Sequence, residues 1–217
     1  MMCMFKNFFL ILIISLSYLT SALAEKVIVF EFTEEERKIL KVRKVKKETT
    51  YTLGSNENGN FLKAEAEGKA SGLGIKKKIN LLKTPFINIT WKVEKDLFGI
   101  DEQSKKGHDY VARVFVIKKT GTTPLSNRAI NYVYSSNNEV GKYWRSPFTK
   151  RSIDYVLANT KNNLNEWITV KANVKDHFKK LHMIDVNEIE GVAIMTDTDN
   201  SKKLAIAYYQ NIYFSSE

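Results

Sequence analysis

The chain has 217 residues, with 34 Lys and Arg against 24 Asp and Glu, a formal net charge of +10, and a single cysteine, Cys3. The lysines are scattered, with denser runs only at Lys41–Lys47, Lys76–Lys78 and Lys179-Lys180 and no long basic tail, which reads as a solvated surface or, if the charge is functional, as a site for an acidic polysaccharide or a phosphorylated outer surface. Beyond Cys3 there is no disulfide, no thiolate nucleophile and no cysteine-based metal site.

Residues 1–24 read as a cleavable signal peptide. Lys6 is the basic start, an apolar run extends from Phe8 to Leu19, and Ser21-Ala22-Leu23-Ala24 places small residues where signal peptidase reads. The run is shorter than the roughly 20 apolar residues that a membrane span needs, and no later stretch is long and apolar enough for one. The expected product is an exported protein, periplasmic or secreted, whose residues 25–217 form one domain.

Along that domain the period is two. Val27–Phe32 alternates, and in Phe86–Val93 the residues Ile87, Ile89, Trp91 and Val93 share one face. Tyr110–Ile117, Ala129–Tyr134, Trp167–Val174, Glu190–Thr196 and Leu204–Phe214 are further strands, rich in β-branched and aromatic residues. Polar connections are read at Gly54–Gly59, Gly99–Gly107, Ser135–Lys142, Ala158–Asn165 and Asp197–Lys203, with loops at Pro85, Pro124 and Pro147. One short helix is expected over Val174–His182, where Val174, Phe178 and Leu181 recur at helical spacing and Asn173 can cap, with a weaker helical turn at Thr33–Leu40. The predicted fold is an all-β antiparallel sandwich or jelly roll.

Five ordered segments carry a family resemblance: Ala70-Ser71-Gly72-Leu73, Gly107–Val114, Ala129–Tyr134, Ile189–Asn200 and Ala205–Phe214. From about Thr50 onward the chain resembles the exported bacterial family known as domain of unknown function 3047, which brings no activity with it. Its pattern is similar to galactose-binding-like jelly rolls, which implies a sandwich of a kind that often binds carbohydrate. His108-Asp109 stands where that family usually has two acids, and Tyr134 where it usually has tryptophan.

The candidate ligand-binding residues are Asp109, Arg113, Asn131, Tyr143 and Trp144. Asp109 and Arg113 are four apart on a strand and so point to one face, together with Val111 and Phe115. Tyr143 and Trp144, between Lys142 and Arg145 in an expected loop, would make a stacking platform with cationic flanks or plug the end of the sandwich. Asn131 would orient a ligand or satisfy buried backbone. Trp91 and Trp167 are read as core. Asp197, Asp199 and Asn200 place oxygen side chains in one turn, as a structural calcium site requires, although Lys202 and Lys203 oppose a dication; otherwise the segment is a polar turn. No other cofactor is expected.

The leading reading is a non-catalytic exported protein that binds a polysaccharide or another envelope component, with no nucleic-acid partner. The alternatives are a glycan-cleaving enzyme, hydrolase or lyase, using carboxylates of the same patch, and a structural or assembly partner without a small ligand.

Overall fold

The computed structural model describes residues 24–123, 126–161 and 163–217. Residues 1–23 of the segment read as a signal peptide, and the Pro124 loop, lie outside the described residues.

Two sheets pack face to face. The first contains β1 (Lys26–Phe30), β3 (Thr50–Asn56), β4 (Gly59–Glu67), β6 (Phe86–Lys95), β11 (Ile168–Asn173) and β13 (Leu204–Ser215), in the order β11-β6-β13-β4-β3 with β1 also on β13. The second runs β2-β5-β12-β7-β8-β10-β9, built from Lys41–Lys44, Ala70–Asn80, Glu188–Asp197, Ala112–Lys118, Arg128–Ser135, Ser152–Asn159 and Tyr143–Arg145. This is the expected all-β sandwich. The expected antiparallel pairing fails at one place: β8 and β10 are parallel, because the chain turns back through β9 before β10 docks.

Alternation explains which residues fill the gap between the sheets. Ile87, Ile89, Trp91 and Val93 of β6 are fully buried and face Ala112, Val114 and Val116 of β7 and Ile130, Tyr132 and Tyr134 of β8 across one core. Tyr209 on β13 crosses from one sheet to the other. Its hydroxyl accepts the Arg113 N–H at 3.3 Å and donates to the Met195 carbonyl at 2.7 Å.

The expected helix over Val174–His182 is a short α-turn, α2 (Val174–His177), continued by a π-helical turn, Phe178–His182. Asn173 Oδ1 accepts the Asp176 N–H, and Val174, Phe178 and Leu181 insert into the core. The weaker turn is also present as α1 (Glu34–Ile39), capped by Thr33. Six strands depart from the sequence reading: β2, β3, β4, β5, β9 and β10 fall where no strand was expected. The Gly54–Gly59 connection shrinks to a tight hairpin between Asn56 and Gly59, whose φ of 114° suits glycine.

Candidate functional site

The site is built on the outer face of the seven-stranded sheet. Register aligns Lys41, Gly74, Ala193, Phe115, Asn131, Asp154 and Trp144 in one row across all seven strands. The adjacent row on the same face runs Arg43, Gly72, Met195, Arg113, Val133 and Val156. Glycine and alanine make the middle of this face low. At Gly72 even a Cβ would meet the Ile194 carbonyl at 2.9 Å. The result is a groove of about 1060 Å³, floored by Gly72, Gly74, Gly191 and Ala193 and lined by His108, Arg113, Phe115, Asn131 and Phe148.

Two buried polar networks close one end of the groove. In the first, the Arg113 guanidinium pairs with Asp197 and lies 5.1 and 5.2 Å from the ring centres of Tyr110 and Phe115. Burial pushes the Asp197 carboxyl up to about 7, against the pull of Arg113 and with a further push from Asp109. Arg113 Nε is buried and meets no acceptor among the described residues. In the second, His108 Nε2 lies 2.8 Å from Asp154 Oδ2, and Asn131 Nδ2 donates to Asp154 Oδ1 at 2.6 Å. Asp154 is completely buried, while His108 reaches the groove between the rings of Tyr110 and Phe148.

Asp109 is close to Arg113 in space, but not in the manner expected. The strand begins only at Ala112, and the chain bends at Val111, which turns into the core instead of sharing the Arg113 face. Asp109 lies under the closing turn. Its carboxylate accepts the Asn200 N–H and side-chain amide and the Ser201 N–H, at 3.2, 2.8 and 2.5 Å.

One oxygen from each of Asp109, Asp197 and Asp199 falls within 4.8 Å of the others, while Asn200 gives its amide N–H to Asp109. Both Asp109 oxygens already accept N–H groups, and Asp197 is held by Arg113. Asp109 and Asp197 are thus already engaged by protein donors.

Tyr143 and Trp144 do not form a single platform. They sit on strand β9 and not in a loop, so their rings point to opposite faces. Trp144 packs with Tyr110, Val133 and Val156 on the groove side, and Tyr143 stacks on Tyr155 on the other. Trp167 is not core either: with Phe61 and Tyr208 it forms an aromatic cluster crossed by Lys92 on the far side of the sandwich.

Sequence reasoning missed Asp154 and Phe148. A lone acid inside Ser152-Ile153-Asp154-Tyr155-Val156-Leu157 was the available signal for the first. Phe148, 57% exposed at the lip of the groove, had none beyond being an aromatic residue after Pro147.

The sandwich is similar to the family 30 carbohydrate-binding module of the cellulosomal cellulase Cel9D-Cel44B of Clostridium thermocellum. The TM-score is 0.52 at 10% identity, over 89% of this chain and 98% of the module. A second family 30 carbohydrate-binding module structure gives 0.50 at 9% identity, over 89% and 99%. At such identity the likeness is one of fold. Among curated proteins, no sequence matches this chain. The family model described as protein of unknown function, DUF3047, matches residues 35–213, reaching upstream of Thr50 into α1, and the chain belongs to that family.

Proposed function

We propose that this is an exported carbohydrate-binding protein whose ligand lies in the groove across the outer face of the seven-stranded sheet. The observation that carries the reading is the groove itself: low glycine and alanine floor, aromatic Phe115 and Phe148, and directed polar groups at Arg113, Asn131 and His108. Sugar rings offer apolar faces and dense hydroxyls, and a site that reads them needs flat aromatic surface and oriented donors and acceptors together. Asn131 Oδ1 is buried and meets no donor among the described residues, so it is an acceptor left for a ligand hydroxyl. The sandwich shared with carbohydrate-binding modules supports the same assignment. Export rests on the signal-peptide pattern of residues 1–24.

In this reading Arg113 and Asn131 contact the ligand, Asp109 holds the turn beneath them, Trp144 supports the groove wall, and Tyr143 takes no part. The test is a glycan array on the purified protein, followed by titration calorimetry on the best ligand. Phe148→Ala, at an exposed position, is expected to weaken binding by about tenfold, a loss of ~1.4 kcal/mol. An array with no bound glycan overturns the proposal.

A further inference from the structure

A groove that only holds a sugar does not need a histidine whose tautomer is fixed from behind. As a carboxylate, Asp154 only accepts, so in the neutral imidazole the contact at 2.8 Å places the His108 proton on Nε2 and the lone pair on Nδ1. Among the described residues Nδ1 meets no hydrogen-bond partner, and the ring lines the groove. Asp154 is completely buried, with its other oxygen taken by Asn131. Burying a carboxylate to aim one imidazole is costly for stability, and it is the arrangement by which a general base is oriented.

The charge of the groove indicates what such a base would meet. Lys41, Arg43, Lys76 and Lys78 line its β2–β5 side and Lys119 lines it at the end of β7, and none of them forms an ion pair among the described residues. Glu190, on β12 between them, is held by Lys118 and by the Lys119 N–H. An anionic chain fits this field. Asp109 is taken up by the N–H groups of Asn200 and Ser201 and Asp197 by Arg113, which leaves them ill placed to act as an acid and nucleophile pair.

We propose that His108 is the general base of a β-elimination that cleaves a uronic-acid-containing polysaccharide. The inference rests on the groove being a glycan site. Nδ1 takes the proton from the carbon next to the uronate carboxylate. The freed electron pair forms a double bond to the neighbouring carbon, the bond from that carbon to the glycosidic oxygen breaks, and the leaving oxygen takes the proton back from Nδ1. No water and no co-reactant is consumed. Arg113, on the same face, supplies positive charge toward the carboxylate, and the lysine side holds the carboxylates of flanking units. Asp154 is a positioning residue.

The experiment incubates the purified protein with polygalacturonate, alginate and a glucuronate-containing glycosaminoglycan. It follows the ultraviolet absorbance of the new double bond, the appearance of reducing ends, and binding by calorimetry. Absorbance and reducing ends are expected to rise together on one polyuronate. His108→Gln should lower the rate by at least about 100-fold while binding persists. Asp154→Asn should lower kcat and change its pH profile with little effect on KM. The exposed pair Lys41→Glu and Lys76→Glu, which leaves the core untouched, should raise KM at low salt.

Reducing ends without absorbance would mean hydrolysis and overturn the inference, as would an unchanged rate in His108→Gln. Binding without any cleavage overturns the catalytic step and leaves the binding proposal standing. No binding on any glycan overturns both.

Discussion

Asp109 and Asn200 lie 91 residues apart in the chain and meet directly, the carboxylate of one receiving both the backbone and the side-chain N–H of the other. With the Ser201 N–H added, this contact ties the turn after β12 to the segment leading into β7 and so fixes the Arg113 end of the groove. Hydrogen bonds to a charged group are worth about 1.5–3 kcal/mol each in stability, less where the geometry is shared. Asp109→Ala is expected to lower unfolding stability in urea by about 2–3 kcal/mol, and Asp109→Asn, which keeps one acceptor oxygen, by less. An unchanged midpoint in Asp109→Ala would show that the turn holds itself without the carboxylate.

The same contact bears on calcium. An ion bound by Asp109, Asp197 and Asp199 has to displace the N–H donors on Asp109 and compete with Arg113 for Asp197. Thermal unfolding in chelator and in added calcium is therefore expected to give one midpoint. A midpoint that climbs with calcium concentration, as binding to the folded state alone requires, would assign a site to these residues.

Arg113 and Asp197 form a buried pair, and removing one partner strands the other. Breaking such pairs costs about 3–5 kcal/mol, whereas replacing both partners together is far milder. Arg113→Met is expected in that range. The double variant Arg113→Met/Asp197→Asn should cost less than the sum of its parts, with the coupling read from a double-mutant cycle. Arg113→Lys will not rescue, because lysine lacks the planar fork and the flat surface that lies against Tyr110 and Phe115. Additive costs would show the two residues to be energetically independent.

Tyr209→Phe isolates the cross-sheet tie. The ring still fills its place in the core, but the Arg113 N–H and the Met195 carbonyl lose their partner. Leaving buried groups unpaired costs about 1–3 kcal/mol. Urea unfolding measures the total, and faster hydrogen exchange at the Arg113 amide would place the loss at β7. Unchanged exchange there would mean that the amide finds another acceptor.

Sequence alternation was readable where the buried positions carried large side chains, as in β6 with Ile87, Ile89, Trp91 and Val93. It was not readable in β4, where the buried positions are Leu62, Ala64 and Ala66 between charged neighbours, because alanine and lysine are poor strand formers and give a faint period. The β5 positions toward the groove, Gly72, Gly74, Lys76 and Lys78, are all glycine or lysine, which reads as a loop until pairing with β12 explains it. Arg113 and Asn131 could be placed on one face from their own strands. The partner of His108 could not, since Asp154 reaches it only through the parallel pairing of β10 with β8. Tyr143 and Trp144 illustrate the reverse case: adjacency suggests a shared surface in a loop and forbids it in a strand.

The pH dependence of stability should carry the signature of Asp197. Its carboxyl is raised from the ordinary carboxylate range to about 7, first by burial and further by Asp109, with Arg113 opposing. The folded state thus holds a proton that the unfolded chain releases near pH 4, so stability from this group is full below about pH 4 and is lost as pH rises toward 7. His177 and His182 act the other way. Burial lowers both, so their contribution is lost as pH falls below the ordinary histidine range. The two effects separate in a comparison of the native chain with Asp197→Asn, since asparagine does not titrate and leaves the histidines in place. Between pH 4 and pH 7 the stability of the native chain is expected to decline relative to Asp197→Asn, with the difference flattening above neutrality. Parallel curves over that range would mean that Arg113 keeps Asp197 ionised throughout and that the pair stays charged at every pH tested.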